Sequence, residues 1–467
     1  MRENFSVSEI LKITGGKLRG KREYLSFFIS PSSISTDTRH LKKGELFIAL
    51  SGEHFDGHNF IRECWKKGAC GAIVSKSPPL PSPQFFFIQV KDTLRALQNL
   101  AKYNRERLSL KTIGVTGSNG KTTVKEMLSS ILSSRYSVLK SEGNFNNQIG
   151  VPLSLLKLSP FEEIGILEMG MNSRGEIQRL SEIIQPDIGI ITNIHHSHIG
   201  FLGSQEEIKE AKAEMIPFLN KDKRNWLILN GDDEWTDDLK KKAECGIFTF
   251  GIKNKSDVKA QQIREKENGV EFNLIYKEKK VPVHLNILGI HNVYNFLTAS
   301  AASLLLGVSL DTITQIAPRL SLPPLRCQMY ILKEYKLIDD SYNANPESMS
   351  TALELLLKMG KNRKIAILGD MLELGEKAPL FHRKLGEEVG KSGINALFVL
   401  GEFSEEVRKG AKEMKLREVF CFKDKEELIK KLFPYLKKGD SLLIKGSRKL
   451  RMDEIANRLR MKICSIT

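Results

Sequence analysis

The sequence predicts an α/β protein of three domains, and three observations support this prediction. The chain has 467 residues, which is too long for one ordinary domain. A short apolar strand leads into a phosphate-binding loop, and strand-like and helix-like segments alternate after it and again in the last third of the chain. We expect a small α/β domain over residues 1–108, a central domain with a P-loop and a parallel sheet over 109–318, and a Rossmann-like α/β domain over 319–467.

The elements of the first domain follow from its apolar runs. Residues 44–50 and 85–90 are predicted as buried strands, and the proline-rich segment 78–83 separates them. Residues 93–107 are predicted as a helix that leads into the central domain.

The other two domains show short apolar strands separated by helical stretches, as is typical of a mainly parallel sheet flanked by helices. A helix is predicted at 206–219, and the proline-containing segment 318–324 is predicted as a linker. The predicted central strands are 112–116, 164–169, 187–194 and 226–230, and the predicted C-terminal strands are 364–368, 396–400, 419–422 and 441–445.

The composition is that of a globular protein, with 41% hydrophobic and 27% charged residues. No run approaches the roughly 18 uncharged apolar residues that a membrane span needs, and the first residues lack the apolar core of a secretory signal. We therefore expect a cytoplasmic protein that does not insert into membranes.

Cysteine spacing and charge exclude two further classes of protein. The six cysteines are scattered without paired spacing, which favours reduced thiols over a zinc site or a disulfide framework. The formal net charge of +16 is spread along the chain in short runs, and no basic stripe is interleaved with aromatic residues. We expect no nucleic-acid partner, and positive charge also suits polyanionic small substrates.

The sharpest motif is a phosphate loop that opens a helix. It reads Thr116-Gly117-Ser118-Asn119-Gly120-Lys121-Thr122-Thr123. Backbone N–H groups in such a turn surround phosphate oxygens, so Lys121 is expected to reach the β- and γ-phosphates of ATP and the Thr122 hydroxyl to bind Mg²⁺. Strict Walker spacing places glycine at Val115, and a purely structural strand–turn–helix is the alternative. Kinases, GTPases and ligases share this loop, so it does not define the reaction.

Polar residues follow two strands after the loop, where an α/β sheet gathers its ligands. Glu168 ends one strand, and Thr192-Asn193 ends another and precedes His195, His196 and His198. For Glu168 the alternatives are a metal ligand and a strand-end salt bridge. For any single histidine taken alone, a structural role is the simpler interpretation.

Lys212 occupies an unusual position on its predicted helix. It falls on the narrow arc that holds Ile208, Met215 and Leu219, where a solvated lysine is not expected. Its ammonium group either extends outward to solvent or lies inside a site, where it is paired with a charge or chemically modified. The pattern alone does not distinguish these alternatives.

Together these features resemble the Mur ligases over nearly the whole chain. The resemblance implies that residues 116–123 bind ATP, and that Glu168 and His198 hold Mg²⁺ together with Lys212, which the family carbamylates. The segment Gly289-Ile290-His291-Asn292-Val293-Tyr294-Asn295 is similar to a family motif, which implies that Asn292 and Asn295 place the nucleotide. Arg326 matches an arginine for the γ-phosphate, although Leu325 replaces the usual preceding glycine. Asp340 matches an aspartate that contacts the ribose or stabilises the domain junction.

Within the family, several segments look like those of members that add D-alanyl-D-alanine. These segments are 142–152, 340–346 and 369–375, and residues 37–39 and 52–58 resemble the UDP-sugar domain. The Asp-Asn-Pro-Arg motif of the diaminopimelate-adding relative does not occur in the sequence. The histidines around His195 and His196 depart from the family pattern. The expected substrate-binding residues are Thr38, Arg39, Asn144, Asn146, Asn147, Tyr342, Asn343 and Asn345.

The resemblance implies an ATP-dependent amide ligase that acts through an acyl phosphate. Its substrates would be a UDP-N-acetylmuramoyl tripeptide, D-alanyl-D-alanine and ATP, with Lys121, Glu168, His198, Lys212 and Arg326 as the catalytic residues. The C-terminal domain would bind the dipeptide, and we expect a monomer. One alternative is another ligase of the superfamily, such as folylpolyglutamate synthase. A second is a P-loop NTPase that forms no amide.

Overall fold

The structure, a computed structural model, describes residues 4–53, 55–76, 78–79, 81–197, 199–359 and 362–465. These residues form three larger β-sheets covered by helices and one small strand pair. The α/β fold class is confirmed. None of the helices in the described ranges has the length and apolar character needed to cross a membrane. His198, a predicted metal ligand, lies outside the described residues.

The N-terminal region contains a five-stranded sheet with the order β2-β7-β6-β5-β4, and only β2 runs antiparallel to its neighbour. The Asp92 carboxylate caps the last helix by accepting a hydrogen bond from the Arg95 N–H at 3.0 Å. The elements are β1 (Phe5–Ser6), α1 (Val7–Thr14), β2 (Lys17–Arg19), β3 (Phe28–Ile29), β4 (Ile34–Ser35), β5 (Leu46–Ile48), α2 (Ile61–Lys66), β6 (Gly71–Val74), β7 (Phe86–Gln89) and α3 (Thr93–Glu106).

The central region contains a nine-stranded sheet with the order β16-β15-β14-β13-β12-β11-β8-β10-β9. Its strands are β8 (Lys111–Thr116), β9 (Val138–Lys140), β10 (Ile164–Glu168), β11 (Ile188–Ile191), β12 (Trp226–Asn230), β13 (Gly246–Gly251), β14 (Val258–Lys266), β15 (Gly269–Tyr276) and β16 (Lys279–Leu285). Its helices are α4 (Lys121–Leu132), α5 (Gly150–Leu156), α6 (Glu176–Ile184), α7 (Ile199–Leu202), α8 (Gln205–Ala213), α9 (Ile216–Leu219), α10 (Thr236–Lys242), α11 (Ile290–Leu305) and α12 (Leu310–Ile316).

Both faces of the central sheet are buried. Successive residues of β10 enter different apolar clusters, with Ile166 on the side of α4 and α11 and Leu167 on the opposite side. This arrangement explains why the central strands read as continuous apolar runs. Strands β9 to β14 run parallel, and only β15 and β16 are antiparallel to their neighbours.

The central region differs from the sequence prediction at two elements. The predicted strand 187–194 ends at Ile191, because the next residues leave the sheet and contact the phosphate loop. The predicted helix 206–219 is two helices, α8 and α9. The break follows from Pro217, which has no N–H and whose ring collides with a helical carbonyl four residues earlier, at Ala213.

The C-terminal region contains a six-stranded sheet with the order β17-β18-β22-β19-β20-β21, which is parallel except for the edge strand β17. Four strands lie within one residue of their predicted bounds. The elements are β17 (Gln328–Leu332), β18 (Tyr335–Asp340), α13 (Pro346–Leu357), β19 (Lys364–Gly369), α14 (Ala378–Lys391), β20 (Ala396–Leu400), α15 (Ser404–Glu413), β21 (Val419–Phe422), α16 (Lys425–Tyr435), β22 (Ser441–Lys445) and α17 (Asp453–Ser465).

Candidate active site

The phosphate loop joins β8 to α4 and depends on two glycines. Gly117 has φ +144° and Gly120 has φ +85°, conformations that favour glycine. A Cβ at Gly117 would lie 1.9 Å from Thr192 Oγ1, and one at Gly120 would lie 2.4 Å from Asn295 Oδ1. The loop is therefore packed closely against its neighbours, as a backbone that approaches a ligand must be.

The residues after β11 hold the loop in place. Asn193 accepts a hydrogen bond from the Ser118 N–H through its carbonyl and from the Asn119 N–H through Oδ1, both at 2.9 Å. Thr192 Oγ1 donates to the Asn119 carbonyl at 2.6 Å. The Ser118 hydroxyl bonds to the backbone of His195. Thr192, Asn193 and His195 thus act as loop supports, and the early end of the strand frees their backbone for this role.

Lys121 begins α4 and folds back over the loop. Its Nζ donates to the carbonyls of Gly117 at 2.7 Å and Ser118 at 3.2 Å. Burial lowers the pKa of Lys121, and the Glu168 carboxylate partly offsets this effect. The ammonium group therefore lies in a setting where a negatively charged partner is favourable.

Glu168 lies at the carboxyl end of β10, beside the loop, with only 2% of its surface exposed. Its Oε2 accepts a hydrogen bond from Thr122 Oγ1 at 2.8 Å, and its Oε1 accepts one from Asn146 Nδ2 at 2.9 Å. Arg326 Nη2 donates to Thr122 Oγ1 at 2.9 Å. Three segments far apart in sequence therefore meet at the Thr122 hydroxyl.

Sequence reasoning missed Lys125, which lies one turn beyond Lys121. Its side chain is 0% exposed, and its Nζ donates to the carbonyls of Ser141 at 2.7 Å and Gly143 at 3.0 Å. The same ammonium lies 3.9 Å from Glu168 Oε2. The sequence carried a signal, because Lys125 falls beside Leu132 at the edge of the apolar arc of the helix.

Lys212 on α8 is inside the protein, with 1% of its surface exposed. No ion pair joins it to an acidic side chain within the described part of the chain. Its pKa lies well below the ordinary value because of burial, to which the nearby charge of Lys121 adds. The alternative in which the ammonium extends to solvent is wrong, and the lysine lies next to the phosphate loop.

The motif at the start of α11 contributes amide side chains. Asn295 Nδ2 donates to Asn292 Oδ1 at 3.0 Å, and Asn292 Nδ2 donates to the Leu288 carbonyl at 2.8 Å. Burial lowers the pKa of the neighbouring His291 to about 4, so its imidazole is neutral at physiological pH.

Asp340, at the end of β18, is held by two partners. Its Oδ2 accepts a hydrogen bond from Lys445 Nζ at 2.5 Å, and its Oδ1 accepts one from the Cys327 N–H at 3.0 Å. It therefore fastens the segment that carries Arg326. Leu325 and Cys327, on either side of Arg326, have φ values of +62° and +46°, a backbone conformation that is strained for residues other than glycine.

Most predicted site residues line one cavity of about 450 Å³ between the central and C-terminal regions. They are Ser118, Asn119, Gly120, Lys121, Thr122, Thr123, Asn144, Asn146, Asn147, Glu168, Asn292, Asn295, Arg326, Asp340, Tyr342, Asn343 and Asn345. Thr116, Gly117 and Lys212 lie behind the lining. Thr38 and Arg39 do not line it, and Arg39 is exposed and paired with Asp37 in the N-terminal region.

Direct contacts cross the cavity from the central region to the C-terminal region. Asn345 Nδ2, at the start of α13, donates to Asn119 Oδ1 of the phosphate loop at 2.8 Å. His196 bonds through Nδ1 to the Glu347 carboxylate of the same helix. His196, whose surroundings depart from the family pattern, is therefore a link between the two regions in this structure.

The oxygens at the loop fit a magnesium ion. The Glu168 carboxylate and the Thr122 hydroxyl are adjacent, and Mg²⁺ is usually held by one or two carboxylates together with water and substrate phosphates. No cluster of three or more His, Cys, Asp or Glu side chains suited to a metal occurs in the described ranges. A single carboxylate with a hydroxyl therefore matches a metal that is shared with a phosphate ligand.

Comparison with known proteins identifies the class of protein that this fold and site define. The Mur ligase middle domain matches residues 115–303. A Mur ligase glutamate ligase domain matches residues 325–448, and a Mur ligase family catalytic domain matches residues 31–105. The chain belongs to the Mur ligase family.

Its relatives within the family carry one particular name. The UDP-N-acetylmuramoyl-tripeptide–D-alanyl-D-alanine ligase of Bacillus subtilis (strain 168) is 37% identical over 429 residues, which cover 91% of this chain and 92% of that protein. A crystal structure of MurF from Acinetobacter baumannii superposes with a TM-score of 0.90 at 32% identity and covers 98% of this chain and 99% of that one. The MurF ligase of Thermotoga maritima in complex with ADP gives a TM-score of 0.80 at 29% identity and covers 92% and 97%.

Proposed function

We propose that this protein is an ATP-dependent ligase that joins D-alanyl-D-alanine to a UDP-N-acetylmuramoyl tripeptide in peptidoglycan precursor synthesis. The relatives that carry this name cover most of the chain. The observation that carries the proposal is the meeting of Glu168 and Arg326 at the Thr122 hydroxyl, next to Lys121, whose ammonium group folds back over the phosphate loop.

The chemistry requires two anions to approach each other. The tripeptide's terminal carboxylate attacks the γ-phosphate of ATP, which gives an acyl phosphate and ADP. The amine of the dipeptide then attacks the acyl carbon, the amide bond forms, and inorganic phosphate leaves. Lys121 and Arg326 supply positive charge where the two anions meet, and electrostatic stabilisation of this kind dominates phosphoryl transfer.

Glu168 and Thr122 would hold Mg²⁺ beside the phosphates, and His198 is retained as a predicted ligand. When bound, the ion would neutralise charge on the phosphate oxygens. Asn146 donates a hydrogen bond to Oε1 of Glu168 and so orients this carboxylate. The loop 144–147 is therefore coupled to the proposed magnesium site.

Lys212 is proposed to be carbamylated. Its lowered pKa favours the neutral amine, which is the form that adds to CO2. In that step the nitrogen–carbon bond forms and one proton leaves to solvent, so the neutral amine becomes an anion. The positive charge of Lys121 disfavours an ammonium group at this position and favours the anion, which would then serve as a further ligand to the ion.

The domains 1–108, 109–318 and 319–467 are proposed as the UDP-sugar, ATP and dipeptide domains, and each contains one of the larger sheets. Closure of the C-terminal domain over the cavity would exclude water from a hydrolysable acyl phosphate. The protein is further proposed to act as a monomer in the cytoplasm, where ATP is supplied.

The test is phosphate release from ATP and Mg²⁺ with UDP-muramoyl tripeptide, followed by addition of D-alanyl-D-alanine. We expect sustained release only with both substrates, together with a UDP-linked pentapeptide detected by mass spectrometry. Release that is indifferent to the dipeptide, with no new amide, would refute the proposal and favour an NTPase or a ligase with another acceptor.

A further inference from the structure

The C-terminal wall of the cavity carries an arginine that the steps above do not use. Four Lys or Arg side chains among the described residues line the cavity, namely Lys121, Arg326, Lys445 and Arg448. Lys121 and Arg326 contact the phosphate loop, and Lys445 is buried and bonded to Asp340 and to the Asn343 carbonyl. Arg448 remains, with 56% of its side chain exposed and an ion pair of 3.5 Å to Asp453.

The backbone that carries Arg448 is firmly held although its side chain is open to the cavity. The Ser447 N–H donates to the Asp370 carbonyl at 3.1 Å, and Ser447 Oγ accepts a hydrogen bond from the Leu372 N–H at 2.8 Å. At Gly446 an added Cβ would lie 2.7 Å from Met452 Cγ. The guanidinium group is thus presented from a rigid turn, as a binding group must be.

Tyr342 relates Arg448 to the reacting centre. The guanidinium carbon of Arg326 lies 4.0 Å from the centroid of the Tyr342 ring, and that of Arg448 lies 5.7 Å from the same point. The two guanidinium groups are therefore no further apart than the sum of these distances. Two extended residues span roughly 7 Å, a length that lies within this upper limit.

We propose that Arg448 binds the terminal carboxylate of the incoming dipeptide. This inference rests on the proposed function and adds a specificity-determining residue to it. The dipeptide's amine must reach the acyl carbon beside Arg326, so its carboxylate lies about one dipeptide length away. A planar guanidinium group pairs with a carboxylate through two parallel hydrogen bonds, and this geometry discriminates a carboxylate from a neutral amide.

The test measures initial rates with D-alanyl-D-alanine and with D-alanyl-D-alaninamide, which lacks the carboxylate. For the unchanged protein we expect the amide to have a KM about 10- to 100-fold higher, the range for one hydrogen bond to a charged group. Arg448→Met should raise the KM for D-alanyl-D-alanine by a similar factor and should remove the difference between the two acceptors. The carboxylate is remote from the reacting atoms, so kcat and the KM values for ATP and the UDP-tripeptide should change by less than about twofold.

Two further variants keep the test interpretable. Arg448→Lys retains the charge without the planar fork and should give an intermediate KM for the dipeptide. Lys449→Met removes the neighbouring exposed cation, which does not line the cavity, and should leave every constant unchanged. If Arg448→Met folds poorly, Arg448→Lys still tests the role of the guanidinium group, and Lys449→Met serves as its control.

The inference is overturned if the unchanged protein uses the amide as well as the acid. It is also overturned if Arg448→Met or Arg448→Lys raises the KM for the UDP-tripeptide instead, which would assign the arginine to the other substrate. Failure of the proposed function is a separate result, because the unchanged protein would then form no pentapeptide with any dipeptide.

Discussion

At the residue scale, the two buried lysines near the phosphate loop differ in their partners. Lys125 is surrounded by carbonyl oxygens and lies close to Glu168, so its positive charge is stabilised. Among the described residues, the charge that perturbs the pKa of Lys212 is that of Lys121, which is of the same sign. Burial without an opposite charge disfavours an ammonium group. The two lysines therefore have different chemistry, and only Lys212 is suited to modification.

We expect Lys212→Ala to lower kcat by about 100-fold or more, the scale for removing one preorganised charged group from an active site. Short carboxylic acids added to this variant should restore part of the activity, because they replace the missing anion. In the unchanged protein, removing CO2 from the buffer should lower activity and bicarbonate should restore it. The measurement is steady-state phosphate release.

Lys209→Met is the matched control for this prediction. Lys209 lies on the same helix, but its ammonium lies over the Trp235 ring at 4.7 Å and pairs with surface carboxylates. Its replacement should leave kcat unchanged. Full activity in Lys212→Ala would show that neither the lysine nor its carbamate takes part.

At the scale of elements, helix α4 joins two binding segments through one side chain. The first residues of α4 form the end of the phosphate loop. Lys125, one turn further on, connects the helix to the carbonyls of residues 141 and 143, which directly precede the segment 144–147. Asn146 of that segment holds Glu168. The phosphate loop and the segment 144–147, which are the proposed ATP-binding and substrate-binding segments, are thereby held as one unit.

Lys125→Met should destabilise the protein by about 2–4 kcal/mol, because the buried Ser141 carbonyl loses its charged donor and the buried Glu168 carboxylate loses a nearby cation. The midpoint of urea unfolding reports this change. In addition, the KM for the UDP-tripeptide should rise, since the position of Asn146 depends on this contact.

Lys140→Met provides the comparison, since Lys125 and Lys140 both pair with Glu126 but Lys140 is partly exposed. Surface pairs contribute at most about 1 kcal/mol, so its unfolding midpoint should hardly move. Equal effects of the two substitutions would contradict the role assigned to Lys125.

At the scale of the whole molecule, the cavity exists because the C-terminal region closes against the central one. The Gly200 N–H on α7 donates to the Glu373 carbonyl at 2.8 Å. An added Cβ at Gly200 would lie 2.4 Å from the Gly375 nitrogen. The two regions therefore approach each other closely at this point, and the contact is between backbone atoms rather than flexible side chains.

Gly200→Ala should hold the two regions apart, because neither backbone can yield to the new methyl group. Overpacking of this kind costs about 1–3 kcal/mol, so kcat/KM should fall by roughly 10- to 100-fold. Small-angle X-ray scattering should show a larger radius of gyration. Gly165→Ala, where an added Cβ would make only ordinary contacts, the nearest at 3.4 Å to Leu167 Cδ2, should change neither quantity. An unchanged radius of gyration in Gly200→Ala would show that the interface tolerates the methyl group.

Local patterns were sufficient to predict the α/β class, the positions of several strands along the chain and the phosphate loop. Apolar runs in strands covered on both faces, and the glycines of the loop, can be read without knowledge of tertiary contacts. The antiparallel strands β15 and β16 were missed, although β15 carries only one charged residue, Glu271, and alternates apolar with polar residues as a strand does; β16 opens with two lysines and is apolar only at its end. The break between α8 and α9 depended on Pro217, whose effect the hydrophobic periodicity concealed.

Folding brings together the residues that meet at the Thr122 hydroxyl and sets the surroundings of the buried lysines, and no local pattern predicted either. Arg326 reaches Thr122 across 204 positions of sequence, and His196 meets Glu347 across 151. The pKa of a buried group depends on its desolvation and on charges brought close by folding, which no local pattern contains. For this reason the sequence left the environment of Lys212 open and gave no role to Lys125 or Arg448.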